Sequence, residues 1–124
     1  MDEGKLGKIY PDGAVIAREG DVGDRMYIIQ SGRVRVTREA NGVDIPLVEL
    51  KEGDFFGEMA LIEREVRSAT VRAVGEASLL SIDKKSFLRR VHEDPSLAYR
   101  ILERMSRRIR ELTIEVAQLK AGVR

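Results

Sequence analysis

The chain has 124 residues, with 22 Lys and Arg against 21 Asp and Glu, a formal charge of +1, so no global field favours a polyanionic partner. It has no Cys and a single His, His92, which excludes disulfides, thiolate metal sites and any Ser-His-Asp triad not centred on that imidazole. Leu, Ile, Val and Phe number 36, enough for the core of one domain, while the longest apolar runs are four residues and cannot span a bilayer. The opening residues Asp2, Glu3, Lys5 and Lys8 are too polar for a signal-peptide core, and the expectation is a cytoplasmic protein without membrane insertion.

The balanced charge hides a division at Asp83. Residues 1–83 carry 11 basic and 16 acidic side chains; residues 84–124 carry 11 and 5. Ten of the 11 Gly residues lie in the first stretch, which is how a turn-rich β region followed by helices reads. Residues 1–83 are expected to form the β core and 84–124 the helices of the same domain.

Within the first stretch, Tyr10-Pro11-Asp12-Gly13 and Gly20-Asp21-Val22-Gly23-Asp24 are turns. Arg33-Val34-Arg35-Val36 alternates at period two, which predicts a half-buried strand with Val34 and Val36 inside and Arg33, Arg35 and Arg38 outside. Asn41-Gly42 is the strongest hairpin signal in the chain and leads into a strand over Ile45–Leu50. Arg67–Ala73 and Ala77–Ile82 read as two further strands around Gly75-Glu76. Seven or eight short strands predict a jelly roll, a mainly β fold closed by C-terminal helices. Glu19-Gly20-Asp21 is echoed by Glu52-Gly53-Asp54, through shared turn chemistry or through two equivalent corners of a symmetric roll. Asp21 and Asp24 lack the spacing of a calcium loop.

Beyond Asp83 the period becomes 3.6. Asp83 precedes a short helix over Lys84–His92, and Asp94-Pro95 supplies an N-cap and an N1 proline for a second. Leu102, Met105, Ile109, Leu112, Val116 and Leu119 recur at alternating steps of 3 and 4, a heptad seam with β-branched residues at two a positions and Leu at two d positions. That pattern predicts a parallel two-stranded coil, with Glu115 at g facing Lys120 at e of the partner. Arg100, Arg104, Arg107, Arg108 and Arg110 surround the helix instead of forming a groove-reading stripe, so no direct DNA binding is expected.

The segment from Phe55 to Leu61, with Arg67-Ser68 after it, carries the chemistry. Gly57 permits a sharp exit from a strand, and Glu58–Ile62 suits one helical turn whose N–H groups can face an anion. Arg67 offers a guanidinium fork for a phosphate, and the Glu58 carboxylate accepts from hydroxyls. A plain Glu58–Arg67 ion pair in a loop accounts for the same residues equally well.

With these motifs together, the chain resembles the cyclic-nucleotide-binding domains of the catabolite-activator and protein-kinase-regulatory type. The matching residues are Pro11-Asp12-Gly13, Glu19-Gly20-Asp21, Gly23 to Ile29, Gly32, Gly53-Asp54-Phe55, Phe56 to Leu61 and Arg67 to Val71. The resemblance implies that Gly57 and Glu58 hold a ribose 2′-OH and that Arg67 neutralises a cyclic phosphate. It makes Ala60 and Ser68 further phosphate donors, places Met59 in the same cassette, and sets Val36, Leu47 and Val71 around the nucleoside. Thr113, beside the seam, takes the family's base-contact position, where Leu112-Thr113 replaces a polar pair.

The expected function is a regulatory sensor binding cyclic AMP, with cyclic GMP the other ligand, that signals through its C-terminal helix as a homodimer. Alternatives are a degenerate dimerisation scaffold with an empty pocket and the sensory piece of a larger transcription regulator. No catalytic residue, metal site or cofactor is expected.

Overall fold

The computed structural model describes residues 7–62 and 65–122. Asp2, Glu3 and Lys5 of the polar opening lie outside them. The elements run β1 (Lys8–Tyr10), β2 (Val15–Ala17), β3 (Val22–Gly23), β4 (Arg25–Ala40), β5 (Val43–Lys51), β6 (Phe55–Phe56), α1 (Met59–Ile62), β7 (Glu65–Val66), β8 (Thr70–Asp83), α2 (Lys84–Glu93) and α3 (Ser96–Gly122). The chain divides into two compact units, Met1–Lys85 and Ser86–Arg124.

The first unit is a mainly antiparallel β structure of the expected class. Six strands form one sheet along the path β1-β8-β4-β5, with β2 added to β8 and β6 to β4, and β3 pairs with β7 in a separate ladder. Among the described residues, hydrogen bonds do not close the sheet on itself. The long central pair β4–β8 extends from Arg25↔Asp83 to Thr37↔Thr70, with two register shifts between Ile29 and Arg33. Ile29, Val34, Val71, Ala73, Ala77 and Leu79 form the buried cluster against it, with Tyr27, Val36, Leu50 and Phe56 packed at its margin.

Two strands expected on either side of Gly75-Glu76 are one. β8 runs unbroken for 14 residues because Gly75 turns through a φ of 71° and its N–H is satisfied by Asp12 Oδ1 at 2.7 Å. β4 pairs with β8 on both sides of the kink, at Ser31↔Ser78 and Arg33↔Val74, and register shifts between Ile29 and Arg33 absorb the offset.

The β4–β5 hairpin closes at Asn41-Gly42 as the dipeptide predicts. Both residues have positive φ, 55° and 77°, and Ala40 pairs with Val43 across them, the type I′ geometry whose twist suits two flanking strands. A Cβ at Gly42 would meet nothing within 4 Å. Gly42→Ala is therefore expected to cost only the conformational penalty of φ > 0, about 1 kcal/mol, read as a lower urea midpoint with unchanged slope.

Strict alternation in β4 would put Arg38 on the same face as Val34 and Val36. The pairing steps from Val36↔Val48 to Thr37↔Pro46, leaving Leu47 as an extra residue in β5. Past this bulge Thr37 takes the buried position and Arg38 stays exposed, as expected of it, 3.9 Å from Glu19. Arg33 and Arg35 are also outside, and Arg35 pairs with Glu49 at 2.7 Å.

The Glu-Gly-Asp echo marks two equivalent corners. Gly20 and Gly53 have φ of 93° and 90°. Gly20 N–H donates to the Arg67 carbonyl and the Arg67 N–H to Asp21 O; Gly53 N–H donates to the Ile29 carbonyl and the Ile29 N–H to Asp54 O. Each corner thus clamps both backbone groups of one distant residue. In one corner that residue belongs to the core, and in the other it is Arg67.

In the second unit, α3 begins where Asp94-Pro95 predicts. Asp94 Oδ1 accepts from the Ser96 N–H at 3.1 Å, and the bonds from Ser96 hold the Asp94 carboxyl below the usual range. Of the seam, Leu102, Ile109 and Leu119 are 64%, 63% and 68% exposed in the single chain, and Leu112 and Val116 are also exposed. Met105 is half-buried.

Candidate functional site

Arg67 organises the site. It lies in the connection between β7 and β8, not at the start of a strand, because the chain here passes from the two-stranded ladder to the main sheet. Its backbone is held by the Gly20-Asp21 corner at 2.9 and 2.7 Å. Its side chain reaches β4, where Nη2 donates to the Arg25 carbonyl at 2.8 Å and the guanidinium lies 5.9 Å from the centre of the Tyr27 ring.

Two glycines make room for it. A Cβ at Gly23 would collide with the guanidinium. A Cβ at Gly57 would stand 2.6 Å from Arg67 Nη1 and 2.9 Å from the Arg25 carbonyl, and Gly57 has a φ of 82° besides. Gly57 is thus required twice, for the turn and for the approach of the cation. With Val15, Ile16, Asp21 and Tyr27 among its other walls, Arg67 lines a recess of about 310 Å³, at the lower end of ligand-site volumes.

Glu58 follows Gly57 and is half-buried. The Glu58–Arg67 ion pair admitted by the sequence is not formed. Among the described residues neither the Glu58 carboxylate nor the Arg67 guanidinium has a partner of opposite charge. A part-buried cation whose partners among the described residues are a carbonyl and a ring keeps donors for an anion, and the Glu58 carboxylate keeps acceptors for hydroxyls.

The other expected residues divide. Met59 and Ala60 belong to the single turn of α1, Met59 exposed and Ala60 buried. The Ala60 N–H donates to the Gly57 carbonyl at 3.0 Å, so in this structure it is engaged within the turn. Ser68 is exposed next to Arg67. Val36 and Val71 are direct cross-strand partners, Val71 buried and Val36 half-buried. Leu47, on the β5 bulge, opens instead to a larger cleft of about 690 Å³ with Arg35, Thr37, Asp44, Val48 and Arg72; neither Glu58 nor Arg67 lines it. Thr113 is exposed on α3 and its hydroxyl donates to the Ile109 carbonyl at 2.8 Å.

Gly23, the Arg25 carbonyl and Tyr27 are site components to which the sequence reading assigned no role. A carbonyl carries no residue-type signal. The corner echo was the visible clue, since it placed Gly20-Asp21 in a structural position like that of Gly53-Asp54.

Residues 8–94 match the cyclic nucleotide-binding domain family. The chain is 34% identical over 110 residues to the cyclic AMP receptor protein of Thermus thermophilus, covering 88% of this chain and 51% of that protein. It is 50% identical over 91 residues to a cyclic nucleotide-gated potassium channel of Rhizobium etli, covering 73% and 24%. The crystal structure of the Thermus thermophilus catabolite activator protein superposes with a TM-score of 0.81 at 33% identity, over 91% of this chain and 54% of that one. The chain therefore spans about half the length, or less, of these relatives. On its sequence match and its fold, this chain belongs to the cyclic nucleotide-binding domain family.

Proposed function

We propose that the chain is a regulatory sensor whose ligand is cyclic AMP. The observation that carries this reading is the part-buried Arg67 guanidinium beside Gly57-Glu58, with no opposite charge on either side chain among the described residues. The cyclic phosphate supplies the missing anion, and leaving water is tolerable for it only against such a partner. The ribose 2′-OH donates to Glu58. Ser68 adds a hydroxyl donor, and Ala60 adds its N–H when the turn shares it. Met59 flanks the cassette, and the nucleoside is assigned to half-buried Val36, backed by Val71, and to Leu47 from the neighbouring cleft. The name of the Thermus thermophilus relative supports cyclic AMP over cyclic GMP.

Output in this reading runs through α3. The exposed seam from Leu102 to Leu119 pairs with a second copy in parallel, and Thr113, at position e beside it, is set to contact the base held by the second copy. The sensor works in the cytoplasm, catalyses no reaction and does not itself bind DNA. No helix among the described residues is long and apolar enough to cross a membrane.

Calorimetry tests the reading directly. A ligand of about 22 heavy atoms at about 0.3 kcal/mol each gives roughly 6–7 kcal/mol, or about 10 µM, before any gain from preorganised charge. At 100 times its dissociation constant it adds about 2.7 kcal/mol to stability, visible as a raised Tm. Absence of heat and of thermal shift with millimolar cyclic AMP and cyclic GMP refutes the sensor.

A further inference from the structure

Tyr27 touches both halves of the site. It pairs with Phe56 across the β4–β6 ladder, and the two rings stack at 5.0 Å between centres with planes 18° apart. The Arg67 guanidinium lies 5.9 Å from the same Tyr27 ring. Phe56 leads directly into Gly57-Glu58, the turn whose backbone faces Arg67. Arg25, whose carbonyl accepts from Arg67, is two residues before Tyr27 on the same strand.

These contacts leave the guanidinium two anchors on one short stretch of β4. The carbonyl accepts from one N–H, and the face of an aromatic ring attracts the cation and favours a guanidinium plane stacked against it. The remaining N–H donors are left for a ligand. A carbonyl alone fixes one donor and lets the plane swing about it; the ring removes that freedom. Through Phe56 the same ring also backs the Glu58 turn, so cation and carboxylate are set from one point.

We propose that Tyr27 is a positioning residue for recognition of the anionic half of the ligand, acting through Arg67. The inference rests on the cyclic-nucleotide reading above and extends it to Tyr27, a wall of the Arg67 recess.

The test uses the full chain and cyclic AMP in calorimetry. Position 27 carries Tyr, Phe or pentafluorophenylalanine; the last nearly keeps the shape of Phe and can still stack on Phe56, but it reverses the charge on the ring face. Urea midpoints establish that the variants fold. Tyr27→Phe is expected to bind within about twofold of the parent and the pentafluoro variant about tenfold more weakly, the scale of one partly desolvated cation–π contact. In an Arg67→Lys background the difference between Phe and its pentafluoro analogue is expected to shrink to about twofold, since a hydrated ammonium is not held by stacking. Equal affinity of those two variants with Arg67 present overturns the inference and leaves the sensor reading standing. The same tenfold loss in the Lys background also overturns it, because the ring would then act on the fold and not through Arg67. A parent protein that binds neither nucleotide removes the reading and the inference together.

Discussion

Arg67→Lys is expected to weaken cyclic-nucleotide binding by about 1.5–3 kcal/mol, roughly 10- to 150-fold, the range for hydrogen bonds to charged groups. Arg67 has to satisfy the Arg25 carbonyl and a ligand phosphate at once, with its guanidinium 5.9 Å from the centre of the Tyr27 ring. A guanidinium does this because its donors point in several fixed directions; an ammonium can meet one demand only by giving up the geometry of the other. The backbone clamps on Arg67 do not depend on its side chain, so the loop should keep its path. Calorimetry measures the loss, and a urea midpoint close to that of the parent shows that the fold is kept. Binding as tight as the parent's would mean that the phosphate sits elsewhere.

The second large effect is expected on assembly. In the proposed dimer Ile109 and Leu112 are neighbouring a and d positions, 63% and 43% exposed in the single chain. Joint Ile109→Asp and Leu112→Asp would bury four carboxylates without partners in a two-stranded seam, a cost that the remaining Leu, Met and Val contacts cannot offset. Light scattering should give twice the 14.0 kDa chain mass for the parent and the single-chain mass for the variant. The first unit contains neither residue, so its hairpin and its Arg67 loop should be unaffected. A parent that is monomeric when saturated with nucleotide excludes the dimer route to output and leaves the Arg67 assignment intact.

Much of the fold was legible because its signals are local. Asn41-Gly42 specifies a type I′ turn, since few residue pairs tolerate two positive φ angles in succession. Asp94-Pro95 specifies a helix start, since the carboxylate caps a free N–H and the proline has none to lose. The cassette was legible as a set of residue types, and the resemblance to a known family rested on those types. Gly75 misled because glycine punctuates strands in general; here a side chain from Asp12, 63 residues away, satisfies its N–H and lets the strand continue. Arg38 and Thr37 exchanged the faces that alternation assigns them because Leu47 was inserted in the partner strand, an event with no mark in β4 itself.

Residue pattern alone was enough for the mainly β class, the change from strand to helix after Asp83, the heptad spacing of α3 and the identity of residues whose chemistry suits an anion and a hydroxyl. Each follows from periodicity or from chemistry carried by neighbouring residues. Whether Glu58 and Arg67 neutralise each other or stand apart was open at that level, because both arrangements use the same residues at the same spacing. The tertiary structure decided it. Arg67 is drawn to β4 by the Arg25 carbonyl and the Tyr27 ring, through space left by Gly23 and Gly57, while the Gly20-Asp21 corner fixes its backbone. Those partners are separated from it by 10 to 47 residues of sequence. Backbone carbonyls and empty space have no residue type, so only the folded chain brings them together around the cation.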